Sequence, residues 1–539
     1  MPASRSTRSA ARAASAPPTS APADERYAAY VLTVLVLVYV LNFLDRQILS
    51  ILAERIKADL GLTDAQIGFL YGTAFAVFYA LFGIPLGRLA DVWDRRRLIS
   101  IGLSFWSVLT AASGLARSFT QLTVARIGVG VGEASASPAA FSLLSDYFPP
   151  ARRATVLAIY SSGIYIGAGL GLGIGGLIVN RWEAAFAGTV PPFGLHGWQV
   201  AFFVVGLPGL LLALWVRQLR EPTRGQSEGL VDIASPSAHP FRELLLELRA
   251  VLPPLTVLHL VLVRAGSRRI VANLAAAAGI AMAATLMIRW LGTPAQWIAL
   301  AVGLYAAVSW AQSLALRDRA AFTLIFQTPS LRYAALGFAL LAFTGYGIGF
   351  WTAPFFLRVH KVSEAQVGLI LGSTAALGGW MGVTLGGLWA DRWRVRTPCA
   401  RLYVGVCTAL LPIPAFIWML STDNVALAYL LNFPVGVGAS MWIGPGASTV
   451  QDLVMPRMRA IASAAYLLVV TFIGLALGPY TIGRLSVALG DLRSAMLLAL
   501  LANGAAAALL LLAARHLPRD EASRLERARR AGERPPRTA

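Results

Sequence analysis

The sequence predicts an all-α polytopic membrane protein with fourteen spans: two six-helix bundles related by pseudo-two-fold symmetry, plus an extra two-helix hairpin between them. Three observations predict this class. Of the 539 residues, 57% are hydrophobic and only 13% are charged, whereas a soluble domain has about 25% charged residues. Fourteen apolar segments are each long enough to cross about 30 Å of hydrocarbon. An internal repeat relates the first six spans to the last six.

The net charge of +20 does not indicate nucleic-acid binding, because the basic residues cluster in loops between apolar segments rather than on one face. Such loops are typical of the cytoplasmic side. We therefore expect a multi-pass protein of the cell inner (plasma) membrane with both termini cytoplasmic. The two cysteines, Cys399 and Cys407, lie about two turns apart on one predicted helix, too far apart for a disulfide. We predict no metal and no cofactor.

A disordered cytoplasmic arm, residues 1–26, precedes the predicted amino-terminal bundle, residues 27–217. The six spans of this bundle cover about 27–51, 65–86, 98–116, 122–144, 155–179 and 198–216. Because the arm is basic, the first span should start on the cytoplasmic side. The fifth span contains seven glycines between Gly163 and Gly176, a composition that favours close and mobile helix packing.

Residues 218–331 interrupt this pattern with a charged cytoplasmic linker and two further spans, about 270–288 and 295–316. Arginines flank both ends of the pair, so we predict a transmembrane hairpin (about 270–316) that leaves the later orientation unchanged. The predicted carboxy-terminal bundle, residues 332–514, contains spans at about 332–357, 365–389, 398–420, 425–449, 460–483 and 492–514. A basic tail, residues 515–539, is expected in the cytoplasm.

Ionisable residues inside the apolar spans mark the candidate functional site. Arg126 and Glu133 lie about two helical turns apart in the fourth span, hence on one helix face, and Asp45 and Arg46 lie in the first span. Charges in hydrocarbon are unfavourable, so such residues are rare and tend to be paired and functional. We interpret them as a proton or substrate site. The alternatives are that Glu133 only bonds a neighbouring helix and that Asp45 and Arg46 mark the outer membrane edge.

Aromatic residues are candidates for lining a cavity. Tyr71, Phe75 and Tyr79 recur at four-residue spacing and share one helix face, although such a stripe is more often packing. The second half lacks ionisable residues in the middle of its spans and offers aromatic ones instead. We therefore predict a charged coupling site on one side and an apolar, aromatic wall on the other. The candidate lining residues are Tyr39, Asn42, Tyr71, Phe75, Tyr346, Trp351 and Trp442.

The internal repeat fixes the predicted architecture. Gly130 to Ser135 aligns with Gly436 to Ser440 at an offset of 306 residues, and the same offset pairs Asp146 with Asp452. Two six-span halves in the same orientation form parallel repeats, an arrangement that supports rocking of one half against the other around a midplane site.

These features resemble the major facilitator superfamily over about 27–217 and 332–514. The resemblance rests on the loop called motif A, here Gly87, Leu89, Asp91, Arg95 and Arg96, and on a degenerate second copy, Gly387, Asp391 and Arg392, at an offset of 300. Over 40–180 the first half resembles the spinster-like family through Asn42–Arg46, Phe105–Ser107, Ala125–Ser135 and Asp146–Pro150. Asp94 in motif A and the hairpin at 270–316 depart from the usual pattern.

The resemblance implies the major facilitator fold and a secondary transporter that works by alternating access, not an enzyme. It also implies a coupling cluster of Asp45, Arg46 and Glu133, with Arg126 as a partner, and a cytoplasmic gate at motif A. Spinster-like proteins are implicated in exporting sphingoid phosphates or lysophospholipids, with proton coupling suggested for some. We therefore expect a monomer in the lipid bilayer that exports a small lipid-like or amphiphilic compound with proton coupling.

Two other functions stay open. A proton-coupled importer of small organic anions is the alternative, because that branch of the superfamily also shows an Asp-Arg pair in the first span and Gly-Glu-Ala in the fourth. Such a site would need further arginines facing the cavity, and the second half has only Arg358, near its outer edge. A non-transporting membrane sensor is the remote alternative, because such a protein would not need the two motif A copies and the cavity acid that this sequence contains.

Overall fold

The computed structural model describes residues 25–228 and 239–533. The predicted arm, except for its last two residues, and the end of the predicted tail lie outside the described residues. Within them, thirteen helical segments are long and apolar enough to cross a membrane. The remaining predicted span corresponds to Arg95–Ser113, a helix whose first turn contains three arginines. The predicted fold class, two helical bundles with an extra hairpin, is confirmed.

The amino-terminal bundle is built, between residues 25 and 217, from α1 Glu25–Leu60, α2 Asp64–Tyr71, α3 Thr73–Val92, α4 Arg95–Ser113, α5 Phe119–Glu133, α6 Ala136–Tyr147, α7 Pro150–Ala185 and α8 Gly197–Arg217. Side chains cap several of them; Thr63 and Gln66, for example, form a capping box at the start of α2. The second predicted span is divided between α2 and α3, and the fourth is divided between α5 and α6 directly after Glu133.

The connecting region contains α9 Pro240–Val251, α10 Leu255–Leu262, α11 Ser267–Leu291, α12 Pro294–Arg317 and α13 Arg319–Phe326. Helix α9 packs against α3, and α10 leaves it at an angle of 108°. Helices α11 and α12 form the predicted hairpin. Helix α12 contacts both bundles, since Gln296 accepts a hydrogen bond from Thr73 of α3 and Gly303 packs beside Phe472 of the carboxy-terminal bundle. The hairpin therefore lies along the seam between the two bundles.

The carboxy-terminal bundle contains α14 Pro329–Val359, α15 Glu364–Arg394, α16 Ala400–Leu410, α17 Ile413–Ser421, α18 Val425–Ser440, α19 Ile443–Asp452, α20 Arg459–Val469, α21 Leu477–Leu489, α22 Leu492–Ala499 and α23 Leu501–Ala522, with α24 Arg524–Arg530 in the tail. A π-helical segment, Val470–Ala476, joins α20 to α21. Segments of π-helix inside longer helices are frequently found at functional sites, and this one faces α3, α12 and α14.

The internal repeat is visible in three dimensions. The break between α5 and α6 has a counterpart between α18 and α19, displaced by the same offset to within one residue. Arg95 forms an ion pair with Asp146, and Arg401 forms one with Asp452. Both members of the second pair lie 306 positions after those of the first. The aligned residues thus occupy equivalent places in the two bundles.

The bundles touch at one end. We call the end that contains residues 87–97 and 387–396 the arginine-rich end, and the opposite one the far end. At the far end α7 crosses α15 so closely that a Cβ on Gly169 would lie 2.5 Å from the carbonyl oxygen of Gly372. Nearby, Arg358 of α14 bonds Asp64 of α2 at 2.6 Å and Glu54 of α1 at 2.6 Å. These contacts close the far end.

Candidate functional site

An ion pair between α1 and α5 forms the centre of the candidate site. Arg46 Nε donates to Glu133 Oε2 at 2.7 Å. The Glu133 side chain is fully buried, and that of Arg46 is 14% exposed. A charge-assisted hydrogen bond of this length is stronger than a neutral one. Since α5 ends at Glu133, the carboxylate lies at the break of the fourth span, beside the buried Asn42.

Aromatic rings surround the Arg46 guanidinium. Its central carbon lies 4.4 Å from the ring centroid of Phe75 and 4.7 Å from those of Phe43 and Tyr79. A cation over aromatic faces at this distance is attracted by their quadrupoles, more strongly where water is excluded. The helix face that carries Phe75 and Tyr79 therefore both packs and holds a charge.

Asp45 and Arg126 are buried without a direct bond between their side chains. Asp45 Oδ2 accepts from the Thr110 hydroxyl at 3.1 Å, and Arg126 reaches only the backbone carbonyl of Asp45, at 3.5 Å. Within the described residues, Asp45 Oδ1 and Arg126 Nε and Nη2 have no hydrogen-bond partner. Buried polar atoms are normally paired, so such exceptions call for an explanation, often a catalytic role or water. The cluster thus contains one tightly paired carboxylate and one loosely held carboxylate.

A cavity of about 210 Å³ adjoins this cluster between the bundles. Four predicted site residues line it: Arg46, Tyr71, Phe75 and Tyr346. The other lining residues are Phe43, Gln47, Ile164, Tyr165, Ala168, Gly345, Gly349 and Leu475. Among these lining residues Arg46 carries the charge, and the carboxy-terminal bundle contributes glycine, tyrosine and leucine.

The remaining predicted lining residues lie elsewhere. Tyr39 stacks on a tyrosine of α7, with ring centroids 4.4 Å apart, and Asn42 is buried beside the ion pair. The indole N–H of Trp351 donates to a backbone carbonyl of α21 at 2.8 Å, and Trp442 stacks on a phenylalanine of α14. The structure therefore places these four side chains in contacts between helices rather than on the surface of this cavity.

Sequence reasoning missed Gln47, Tyr165 and Thr110. The Tyr71 hydroxyl donates to Gln47 Oε1 at 3.2 Å, so that Gln47 orients one wall of the cavity. Gln47 directly follows the Asp-Arg pair, which could have drawn attention to it. Tyr165 reaches the cavity because Gly379 of α15 leaves space beside its ring, a contact between distant segments that no local pattern indicates.

The first copy of motif A lies within the amino-terminal bundle. Arg95 is fully buried, donates to Asp146, and bonds Glu221 at 2.6 Å; the Arg96 guanidinium donates to the backbone carbonyl of Leu219 at 2.6 Å. These bonds join α4 to α6 and to the segment after α8. Gly87 lies beside a proline of α6, and Asp91 is exposed.

The second copy is more open. Asp391 is 75% exposed and lies 3.9 Å from the Arg401 guanidinium. Gly387 has open space beside it, and Arg392 is exposed. Arg394 and Arg401 both bond Asp452, so the close ion pairs here also stay within one bundle. In this conformation both copies organise the arginine-rich ends of their own bundles.

Comparison with known proteins adds to this geometry. The family model for the Major Facilitator Superfamily matches residues 35–479. An MFS-type efflux pump of Mycolicibacterium smegmatis is 26% identical over 459 residues, covering 85% of this chain and 84% of that protein. A hexuronate transporter of Bacillus subtilis is 32% identical over 192 residues, covering 35% of this chain and 42% of that protein. The crystal structure of a bacterial homolog of the human lysosomal transporter Spinster, inward-facing and unoccupied, is 28% identical with a TM-score of 0.66, and covers 94% of this chain and 99% of that one.

Proposed function

The chain belongs to the major facilitator superfamily, and from this premise we propose that it is a proton-coupled secondary transporter that exports a lipid-like or amphiphilic compound by alternating access. The observation that carries the proposal is the buried cluster of Asp45, Arg46, Arg126 and Glu133 beside a cavity between the two bundles. Charged groups inside a membrane are rare unless they mark substrate or proton pathways.

The arrangement of the bundles supports alternating access. The far end is closed by direct contacts between bundles, while the motif A contacts stay within each bundle. Arginine-rich loops favour the cytoplasmic side, so this conformation would face the cytoplasm, with both termini there and the protein in the inner membrane. One chain contains both bundles and the cavity, so a monomer would be sufficient.

Asp45 is the carboxylate that we assign to proton transfer. Glu133 already has a charged partner in Arg46, whereas the hydrogen-bond donor to Asp45 is a neutral hydroxyl. Burial disfavours the charged form of a carboxylate unless donors or cations compensate for it. Asp45 is therefore the group whose protonation depends most on whether water reaches it, and that access changes when the bundles rock.

The cavity supports an amphiphilic substrate. Arg46, held by Glu133 and three rings, offers a cation to an anionic head group. The opposite wall has Tyr346 and Leu475 between glycines, which suits an apolar chain. The similarity to an efflux pump over 85% of the chain supports export.

Import of small organic anions is the second candidate. The similarity to the hexuronate transporter, which covers 35% of this chain, favours it. However, the cavity lining has one cation, and Arg358 is engaged with Asp64 and Glu54 at the far end rather than exposed to the cavity. A small dianionic or monoanionic sugar acid would thus find few donors.

A proteoliposome uptake assay with an imposed pH gradient separates these functions. If the protein exchanges protons for substrate, an acidic lumen drives uptake of lysophospholipid; if it imports anions with protons, an acidic exterior drives uptake of hexuronate. We expect the first result. Uptake of hexuronate alone would replace export of amphiphiles with the second candidate.

The same assay tests the coupling residues. Asp45→Asn should abolish the response to the pH gradient while counterflow exchange continues, because exchange needs no net proton transfer. Glu133→Gln should impair both, since it releases Arg46. Glu526→Gln, which changes an exposed carboxylate of the tail helix, is the matched control. A wild-type response to the gradient in Asp45→Asn would remove Asp45 from the mechanism.

A further inference from the structure

A second pocket, an open surface depression of about 420 Å³, lies at the arginine-rich end of α15, away from the central cluster. Trp389, Arg392, Trp393 and Arg396 line it. Trp389, Arg392 and Trp393 share one face of α15, and Arg396 lies in the turn that follows the end of this helix at Arg394. The rings of Trp389 and Trp393 stack with centroids 5.7 Å apart and an angle of 14° between their planes.

The two arginines of this pocket differ from their neighbours. Arg394 and Arg401 are both engaged with Asp452. Arg392 and Arg396 are exposed, and no ion pair or hydrogen bond of their side chains is found in the part of the chain that the structure describes. Within the described residues they therefore present two guanidinium groups beside two indole rings without an ion-paired carboxylate.

The internal repeat shows what covers the equivalent face in the first half. At an offset of 300, Trp393 corresponds to Trp93. Helix α9 lies over Trp93, placing the Phe241 ring 5.2 Å from it and the Glu243 carboxylate 2.8 Å from the Arg88 guanidinium. The cover in the first half thus combines an apolar group with an anion. Over the described residues, the helix that follows the last span of the second half, α24, packs mainly against α13 rather than over α15.

We propose that this pocket binds the phosphate of an anionic phospholipid from the surrounding bilayer. Arginine forks match phosphate oxygens in a bidentate manner, and tryptophan favours the depth of the head groups. The exposed Leu385 and Leu388, on the preceding turn of α15, continue the surface toward the acyl chains. The amino-terminal arm of the chain is basic and has the wrong charge to take this place.

Lipid binding to the purified full-length protein, measured by native mass spectrometry, tests the assignment with phosphatidylglycerol and phosphatidylcholine as probes. The variant Arg392→Gln/Arg396→Gln should lose about 30-fold in affinity for phosphatidylglycerol, because each arginine near an anionic surface contributes about fivefold. Its affinity for phosphatidylcholine should stay within about twofold of wild type. Arg515→Gln/Arg519→Gln removes the same charge from exposed positions in the tail and is the control.

Three results would overturn the proposal. The double variant could bind phosphatidylglycerol as wild type does, or the control could lose as much affinity, which would indicate only a general effect of charge. Soluble glycerol 3-phosphate could displace the lipid at similar concentrations, which would assign the pocket to a free phosphate compound. Melting temperature without added lipid should be unchanged in both variants, because the substituted arginines make no ion pairs within the described residues. The readout is lipid binding rather than transport, so it is independent of the proposed function.

Discussion

Breaking the ion pairs of Arg358 should open the far end. Its guanidinium bonds both carboxylate oxygens of Asp64, at 2.6 and 2.7 Å, and Glu54 Oε1. Asp64 and Glu54 belong to the amino-terminal bundle and Arg358 to the carboxy-terminal one, so these bonds exist only while the far end is closed. In Arg358→Gln the closed conformation loses them, and the open conformation loses nothing equivalent.

The size of the effect follows from burial. The side chain of Asp64 is 5% exposed and that of Arg358 is 21% exposed, so the ion pair is largely but not fully buried. Asp64 keeps Lys57 and Ser486 as partners after the substitution, which limits the loss. A hydrogen bond to a charged group contributes about 1.5 to 3 kcal/mol. We therefore expect a net change of about 2 kcal/mol, or about 30-fold in the ratio of open to closed molecules.

Distances between spin labels can measure this ratio. Labels at Arg117→Cys and Asp423→Cys, in a background of Cys399→Ser and Cys407→Ser, would report the far ends of the two bundles, since both label sites are exposed in far-end loops. The ratio of molecules with long label distances to molecules with short ones should increase about 30-fold.

Arg55→Gln tests whether burial of the ion pair determines the size of the effect. Arg55 also bonds across the bundles, to Glu364 at 2.7 Å, but it is 44% exposed. Exposed ion pairs contribute only about 0.2 to 1 kcal/mol, so the ratio should change by less than about fivefold. If Arg358→Gln left the distance distribution unchanged, or if Arg55→Gln had the larger effect, then burial of the ion pair would not control closure.

Three further substitutions test other parts of the structure. Thr110→Val removes the hydroxyl that bonds Asp45, so the charged carboxylate loses stabilisation and the pH of half-maximal transport should rise by about one unit. Gly303→Leu should lower the stability of the protein by about 1 to 3 kcal/mol, measured as a lower melting temperature, because even a Cβ there would lie 2.8 Å from a methyl of Val77. Gly169→Ala should favour the open far end in the spin-label assay, because its Cβ would meet a backbone carbonyl of α15 that no rotamer change can move.

Each glycine substitution has a matched control. Gly279 on α11, the other helix of the hairpin, is the control for Gly303, and Gly173 on the same helix α7 is the control for Gly169. A Cβ added at Gly279 of α11 would meet no neighbouring atom within 4 Å, so Gly279→Leu should leave the melting temperature unchanged. On α7 the nearest atom to a Cβ at Gly173 is 3.8 Å away, so Gly173→Ala should leave the label distances unchanged. Equal effects in substitution and control would contradict the packing argument. For Thr110→Val, a midpoint that moves down would contradict the sign of the effect.

The sequence was sufficient for the features that depend on composition and spacing. Long apolar runs identified the spans because hydrocarbon tolerates little else. The charges in the first and fourth spans stood out against that background, and the structure brings Arg46 and Glu133 into contact. Helix ends were harder to predict from the sequence. In the structure α1 continues to Leu60, nine residues beyond the predicted end of the first span, because the helix extends past the apolar run.

Side-chain placement could not be predicted from one sequence in the same way. Tyr346 and Trp351 lie five residues apart on α14, about 140° around the helix, so they face different neighbours: Tyr346 lines the cavity and Trp351 faces α21. Which face of α14 meets the cavity depends on its contacts with other helices, and these are long-range. The same holds for Thr110, whose role exists only because α4 brings its hydroxyl within 3.1 Å of Asp45 on α1.

Helix α1 connects the proposed proton site to the closed end. Arg46, Ser50 and Glu54 follow one another at four-residue spacing and therefore share a face of α1. Arg46 lines the cavity, Ser50 donates to a backbone carbonyl of α14, and Glu54 bonds Arg358. A rotation or shift of α1 caused by a change at the cluster must therefore disturb the contacts that close the far end. Coupling between two equilibria is reciprocal, so under the proposed mechanism opening the far end should in turn change the proton affinity of the cluster. Arg358→Gln should consequently shift the pH dependence of transport, although Arg358 lies outside the cavity.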